Sequence, residues 1–273
     1  MYNLKIIKSG DRLEIYKINN YLIKKKADTE LPDPLKDSLK LIDKELKKER
    51  KKDSTESNKT NRKRSLRDAR NNIIRLIKAN DDMTTFITLT FAKESDYKES
   101  KKYLNNFFTK LRKVYNNLKY IWNLEYGEKN QRLHYHILCN IPINIKLSDS
   151  KEKKSNKHKA LENYFEKHYW KHGIVDIREL NQEDNTNIAL YVSTYIIKSF
   201  QDKNLEGYRI YGYSHKTLNK PIVTTCYTRD DIEEILIKFE DYKVNYCSSY
   251  EIGYSDYKGD HKGQVNYFDM ELK

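Results

Sequence analysis

The sequence predicts an α+β fold, an antiparallel β-sheet with flanking helices, and three observations carry that expectation. Residues 84–91 (TTFITLTF) are β-branched and aromatic and alternate as a buried strand does. Two more such runs, KYIWNLEYG (119–127) and LHYHILCNI (133–141), flank a polar turn at residues 127–130 and read as an antiparallel hairpin. Helical periodicities separate these strands from their neighbours, giving the order β-α-β-β-α-β-α and placing the helices against the sheet.

Each element follows from its local pattern. At the N-terminus, YNLKIIKS and RLEIYKI form two short strands turned by Ser9, Gly10 and Asp11. Residues 35–52 carry Leu35, Leu39, Ile42 and Leu46 at helical spacing in a highly charged stretch, and DSTESNKTN (53–61) has too little to bury and reads as a flexible linker. A basic helix, RKRSLRDARNNIIRLIKAN (62–80), places Leu66, Ile73, Ile74 and Ile77 on one face. Arg62, Lys63, Arg64, Arg67 and Arg70 are left to meet solvent or phosphate. Leu104, Phe107, Phe108, Leu111, Val114, Tyr115 and Leu118 predict a helix over 96–118. A lysine-rich loop then leads to a helix around 159–171 and the strand GIVDIREL (173–180). The last core helix, TNIALYVSTYIIKSF (186–200), follows a polar NQEDN that supplies capping residues. The predicted organisation is an N-terminal hairpin region (1–34), a charged helix and linker (35–61), a catalytic domain (62–227), and a C-terminal helix with a Tyr-rich tail (228–273).

Composition points to the partner. Lysine and arginine number 53 against 40 acids, a formal charge of +13 in 273 residues, which favours a polyanion through release of its counterions. Three scattered cysteines exclude a disulfide scaffold or a cysteine-based zinc site. With no membrane-length apolar run and no signal-peptide pattern, the expectation is a soluble, cytoplasmic protein with no membrane partner.

His134 and His136 are one residue apart on a predicted strand, so both imidazoles project to the same face. Two imidazoles form half of a metal site. Glu125, an acid in a mostly apolar strand across the hairpin turn, is the candidate third ligand. Such a set leaves positions open for a substrate oxygen. Phosphate chemistry favours Mg²⁺ or Mn²⁺, although imidazoles also accept zinc or cobalt. Tyr191 and Tyr195 are four apart on a predicted helix and share a face, with Lys198 close to it. A phenol titrates near pH ~10 and needs help to act as a nucleophile, which a metal and a lysine can give.

Together FITLTF (86–91), RLHYHIL (132–138) and YVSTYIIK (191–198) resemble the motifs of the HUH endonucleases, specifically the rolling-circle replication initiators of plasmids and single-stranded phages. The resemblance covers Arg62 to about Pro221. It implies His134 and His136 as metal ligands with Glu125 the third, Tyr195 as nucleophile because Lys198 follows at the family's spacing, and Tyr191 as a second tyrosine. Thr194 stands where many relatives have lysine. The tyrosines follow the histidines, as in initiators and some transposases and unlike most relaxases. No phosphate-binding loop is present, since Gly207 and Gly212 lack the following lysine. What the resemblance implies is metal-dependent nicking and rejoining of a single-stranded or hairpin origin through a 5′-phosphotyrosine, with a host helicase and polymerase as partners. A transposase of the same chemistry and a non-catalytic DNA-binding protein are the alternatives. The oligomeric state is left open.

Overall fold

In the computed structural model the described residues are 1–20, 22–23, 55–127, 132–148, 152–180, 188–256 and 259–273. The expected helix at 35–52, the hairpin turn at 128–130 and the capping segment NQEDN lie outside them. The chain divides into two units, Leu66–Asn219 and Met1–Ser65 with Lys220–Lys273. Both are built on antiparallel sheets, and the α+β class is as the sequence predicts.

In the first unit, strands β3 (Thr85–Phe91), β4 (Tyr120–Tyr126), β5 (Leu133–Cys139), β6 (Gly173–Glu179) and β7 (Tyr211–Tyr213) stand in the order β6-β3-β5-β4-β7. Helix α1 spans Thr55–Lys78, α2 Tyr97–Val114, α3 Asn156–His168 and α4 Ile188–Gln201. Because strand side chains alternate, the sheet sorts its residues by parity. Ile87, Leu89 and Phe91 of β3, Trp122 and Leu124 of β4, Leu133, Tyr135 and Ile137 of β5, and Val175 and Ile177 of β6 enter one core. There they meet Leu104, Phe107, Phe108 and Leu111 of α2 and Phe165 of α3. Fully burying each such side chain contributes about 1.5–3 kcal/mol before entropy is counted, so this face is closed along its length. The opposite face is covered at one end only. Phe86, Ile121 and Leu138 pack there against Ile73, Ile74 and Ile77 of α1 and Ile188, Ala189 and Val192 of α4.

Several boundaries differ from the sequence expectation. Residues 55–61, expected as flexible linker, are the first turns of α1; extending an existing helix costs little once its apolar C-terminal half is anchored. Helix α2 stops at Val114, where Tyr115 takes the C-cap in an extended conformation. Val114 is therefore exposed, while Leu118 is buried from the following loop. Helix α3 begins at Asn156, three residues early, because the Ser155 side chain caps it by accepting from the His158 N–H.

The second unit holds the N-terminal strands β1 (Leu4–Ser9) and β2 (Arg12–Asn19), joined at Gly10 with φ 61°. They share a sheet with β8 (Ile222–Cys226), β9 (Tyr242–Asp256) and β10 (Gly259–Leu272), in the order β8-β1-β2-β10-β9. The expected C-terminal helix is the six-residue α5 (Ile232–Ile237), closed by an Asp231–Glu234 capping box. The Tyr-rich tail is a long hairpin, not an appendage. Its Met270 packs with Leu4, Leu13, Ile15 and Ile235, so the two ends of the chain build one core.

Among the described residues no helix is long and apolar enough to cross a membrane. All three cysteines are free, with Cys226 and Cys247 exposed and Cys139 buried. Burial pushes the Cys139 thiol up to about 12, which keeps it protonated and inert. Ellman titration of native protein should therefore modify two thiols quickly and the third only on unfolding; rapid modification of all three would contradict the packing of β5.

Candidate active site

The half-covered face carries the candidate residues, and strand register lines them up. Asp176, Thr88, His136 and Asn123 face one another across β6, β3, β5 and β4; Ile174, Thr90, His134 and Glu125 form the adjacent row. Beyond the end of α1 and α4 these rows floor an open cleft of about 640 Å³, lined also by Gly127, Arg132, Tyr195 and Lys198.

Each imidazole is held by a threonine on β3. The Nδ1 of His136 lies 3.1 Å from Thr88 Oγ1 and that of His134 lies 2.9 Å from Thr90 Oγ1. With Nδ1–H donating to the hydroxyl, each Nε2 presents a lone pair to the cleft. Burial pushes His134 below the ordinary histidine range; His136 and Arg132 add to this and Glu125 opposes it. The ring is thus neutral at neutral pH. Glu125 Oε2 lies 3.2 Å from His136 Nε2, yet it is buried with no hydrogen-bond donor. A lone carboxylate oxygen facing an imidazole nitrogen without hydrogen-bond geometry is the arrangement a shared cation would relieve. The two imidazole planes are near-parallel, 10° apart, with centroids separated by 6.3 Å. Among the described residues no three His, Cys, Asp or Glu side chains close into a metal-sized cluster. Glu125 and His136 are therefore in contact while His134 stands beside them without converging. Gly127 explains how His134 fits. A Cβ there would fall 2.3 Å from its Nε2.

The tyrosines come from α4. Tyr195 packs on His136 with centroids 4.2 Å apart, and on Phe86 at 5.6 Å. Its hydroxyl lies 2.6 Å from that of Tyr191. Burial, then the bond to Tyr191 and the charges of Glu125 and Asp176, raise the Tyr195 phenol well above its ordinary pKa. The helix is pinned from below: Asn123 Nδ2 donates to Ser199 Oγ at 3.0 Å, and Ser199 Oγ donates to the Tyr195 carbonyl at 2.8 Å. Lys198 is exposed on the cleft wall.

Thr88, Thr90, Arg132, Ile174 and Asp176 join the site without having been singled out by their sequence pattern. A signal for some of them is present, since the threonines of FITLTF share the two-residue spacing of the histidines, and Asp176 interrupts an apolar strand at the same phase. The basic helix is described only in part. Arg67 is largely exposed, and Arg70 has a buried Nε with no hydrogen-bond partner. The side chains of Arg62, Lys63 and Arg64 lie outside the described residues. His168 and His172 pack on Tyr164 and Tyr103 respectively. His158 is fully buried, accepting from the Ser148 N–H and bonding the Ile177 carbonyl through Nε2, so it is a structural histidine.

Residues 84–200, from β3 through α4, match the family of replication-associated proteins typified by ORF2. The match supports a replication-initiator role and interaction with DNA, and the matched stretch holds Glu125, both histidines and both tyrosines. No match was found among curated proteins or among solved structures.

Asp176 is fixed by Lys154 at 2.5 Å and Arg178 at 3.0 Å, with Lys154 also 2.6 Å from Glu162. Burial alone would raise the Asp176 carboxyl, but the hydrogen bonds from Arg178 and Lys154 outweigh it and hold the group below the usual range. A depressed folded-state pKa stabilises the fold above the unfolded value of about 4 and loses that contribution as pH falls through the folded value. Urea unfolding followed into acid should show a steeper loss of stability below pH ~4 for wild type than for Asp176→Asn. Identical acid limbs would mean the network contributes nothing.

Proposed function

We propose that the chain initiates rolling-circle replication by nicking and rejoining single-stranded origin DNA through Tyr195. The observation that carries this reading is the contact of Tyr195 with His136, 4.2 Å between rings, inside an open cleft that also presents Glu125, His134 and Lys198. The replication-associated family match over the same residues supports it.

Glu125, His134 and His136 would hold a Mg²⁺ or Mn²⁺ ion, and the orphaned Glu125 oxygen beside a neutral imidazole fits that role. The ion would polarise a non-bridging oxygen of the scissile phosphate. Tyr195 Oη attacks phosphorus and gives up its phenolic proton, while the bond from phosphorus to the 3′-oxygen breaks. The products are a 5′-phosphotyrosine and, once the leaving oxygen takes a proton, a free 3′-hydroxyl for a polymerase. One phosphoester replaces another, so the reverse attack reseals the strand without ATP. Lys198 balances charge on the phosphate, and Tyr191 Oη, at 2.6 Å, orients the nucleophile. The raised pKa of Tyr195 keeps the free enzyme's phenol protonated. Unwinding falls to a host helicase.

The test is a denaturing gel of the purified protein with labelled single-stranded DNA from its own replicon, with and without Mn²⁺. The expected result is a Mn²⁺-dependent covalent adduct that survives Tyr191→Phe, vanishes in Tyr195→Phe, and falls by at least about ten- to a hundredfold in Glu125→Gln. An adduct in Tyr195→Phe but none in Tyr191→Phe would transfer the primary role to Tyr191. DNA binding without adduct at any metal concentration would leave a non-catalytic DNA-binding protein.

A further inference from the structure

The cleft is longer than one phosphate needs, and its charges are unevenly matched. At the α4 end Lys198 stands three residues from Tyr195 on the same helix. At the other end, the Arg132 side chain lines the wall immediately before β5 and beside His134. Its backbone is fixed, since the Arg132 carbonyl accepts from the Gly127 N–H at 2.8 Å. The nearby acids are committed elsewhere. Asp176 is held by Lys154 and Arg178, and Glu125 faces His136. No ion pair involves Arg132 among the described residues. Across the sheet, in the row of Thr90 and His134, Ile174 also lines the cleft and is 57 % exposed. An unmatched guanidinium and an exposed branched apolar side chain on the two sides of one groove fit the two halves of a nucleotide.

We propose that Arg132 and Ile174 form a second nucleotide subsite at the end of the cleft away from α4, Arg132 binding the phosphodiester next to the scissile one and Ile174 packing against its sugar or base. The assignment rests on the reading of Tyr195 as the nucleophile, because that reading places the scissile phosphate over His136. The subsite fixes the strand on the side of the break that Tyr195 does not hold, so the substrate is bound at two successive phosphates. Arginine suits the position better than lysine, since its planar fork can engage two phosphate oxygens at once.

The test is fluorescence anisotropy of a labelled oligothymidylate with the full chain in EDTA, across a salt series, in a Tyr195→Phe background. Each phosphate neutralised in a single strand contributes about 0.7 to the slope of log affinity against log salt. Arg132→Gln should lower that slope by about 0.7 and weaken binding on the order of tenfold, as loss of one charge-assisted contact does. Arg132→Lys should restore the slope while recovering only part of the affinity, and Ile174→Ser should weaken binding with the slope unchanged. Thermal melting of each variant separates these effects from misfolding. If Arg132→Gln leaves slope and affinity as they were while wild type forms its adduct, the subsite is overturned and the tyrosine reading stands. If wild type neither binds the strand nor forms an adduct, the tyrosine reading itself falls.

Discussion

The antiparallel register of four strands is the constraint on which the rest of the site depends. Side chains on a strand alternate with period two, so a fixed pairing brings every second residue of β6, β3, β5 and β4 into rows. The pairing of Thr88 with His136 and with Asp176, and of Glu125 with His134, is a consequence of that register. A one-residue slip of β5 would turn both imidazoles into the α2 and α3 core and bring Tyr135 into the cleft. The buried apolar set, with Leu133, Tyr135 and Ile137 all essentially inaccessible, makes such a slip costly. The packing of one face thus sets the chemistry of the other.

The two faces differ because their covers differ in length. Helices α2 and α3 close one side, whereas α1 and α4 lie over Phe86, Ile121 and Leu138 and leave the next two rows open. Those rows are polar for the same reason. A buried polar group without a partner costs about 1–3 kcal/mol, so residues at the edge of the cover need hydrogen bonds or water. Thr88 and Thr90 supply them to the imidazoles and Ser199 supplies one to Asn123. Glu125 Oε2 is the exception, and the exception falls where a cation is expected. Helix α4 belongs to both parts. Val192 packs in the core, while Tyr195, less than one turn later, reaches past it to His136.

Much of this is legible in the sequence because it depends on periodicity. Strand alternation places His134 and His136 on one face, and helical spacing places Tyr191 and Tyr195 together. What is not legible depends on contacts distant in the chain. Arg132 lies in a turn with no periodic signal, and its relevance comes from the hairpin that closes on Gly127. The tail reads as an appendage because its core partners, Leu4, Leu13 and Ile15, lie at the other end of the chain. The helical turns at 55–61 carry no local signal, because a polar segment forms helix there only as the continuation of an anchored one.

The central claim is that Glu125, His134 and His136 hold one divalent ion beside Tyr195. It is tested most directly by crystals soaked in Mn²⁺ and measured for anomalous scattering. The account predicts a single strong peak within bonding distance of Glu125 and both Nε2 atoms, with the His134 ring turned toward the ion, and its loss in Glu125→Gln. A metal-saturated crystal with no peak in the cleft, or with its peak on other residues, would contradict it.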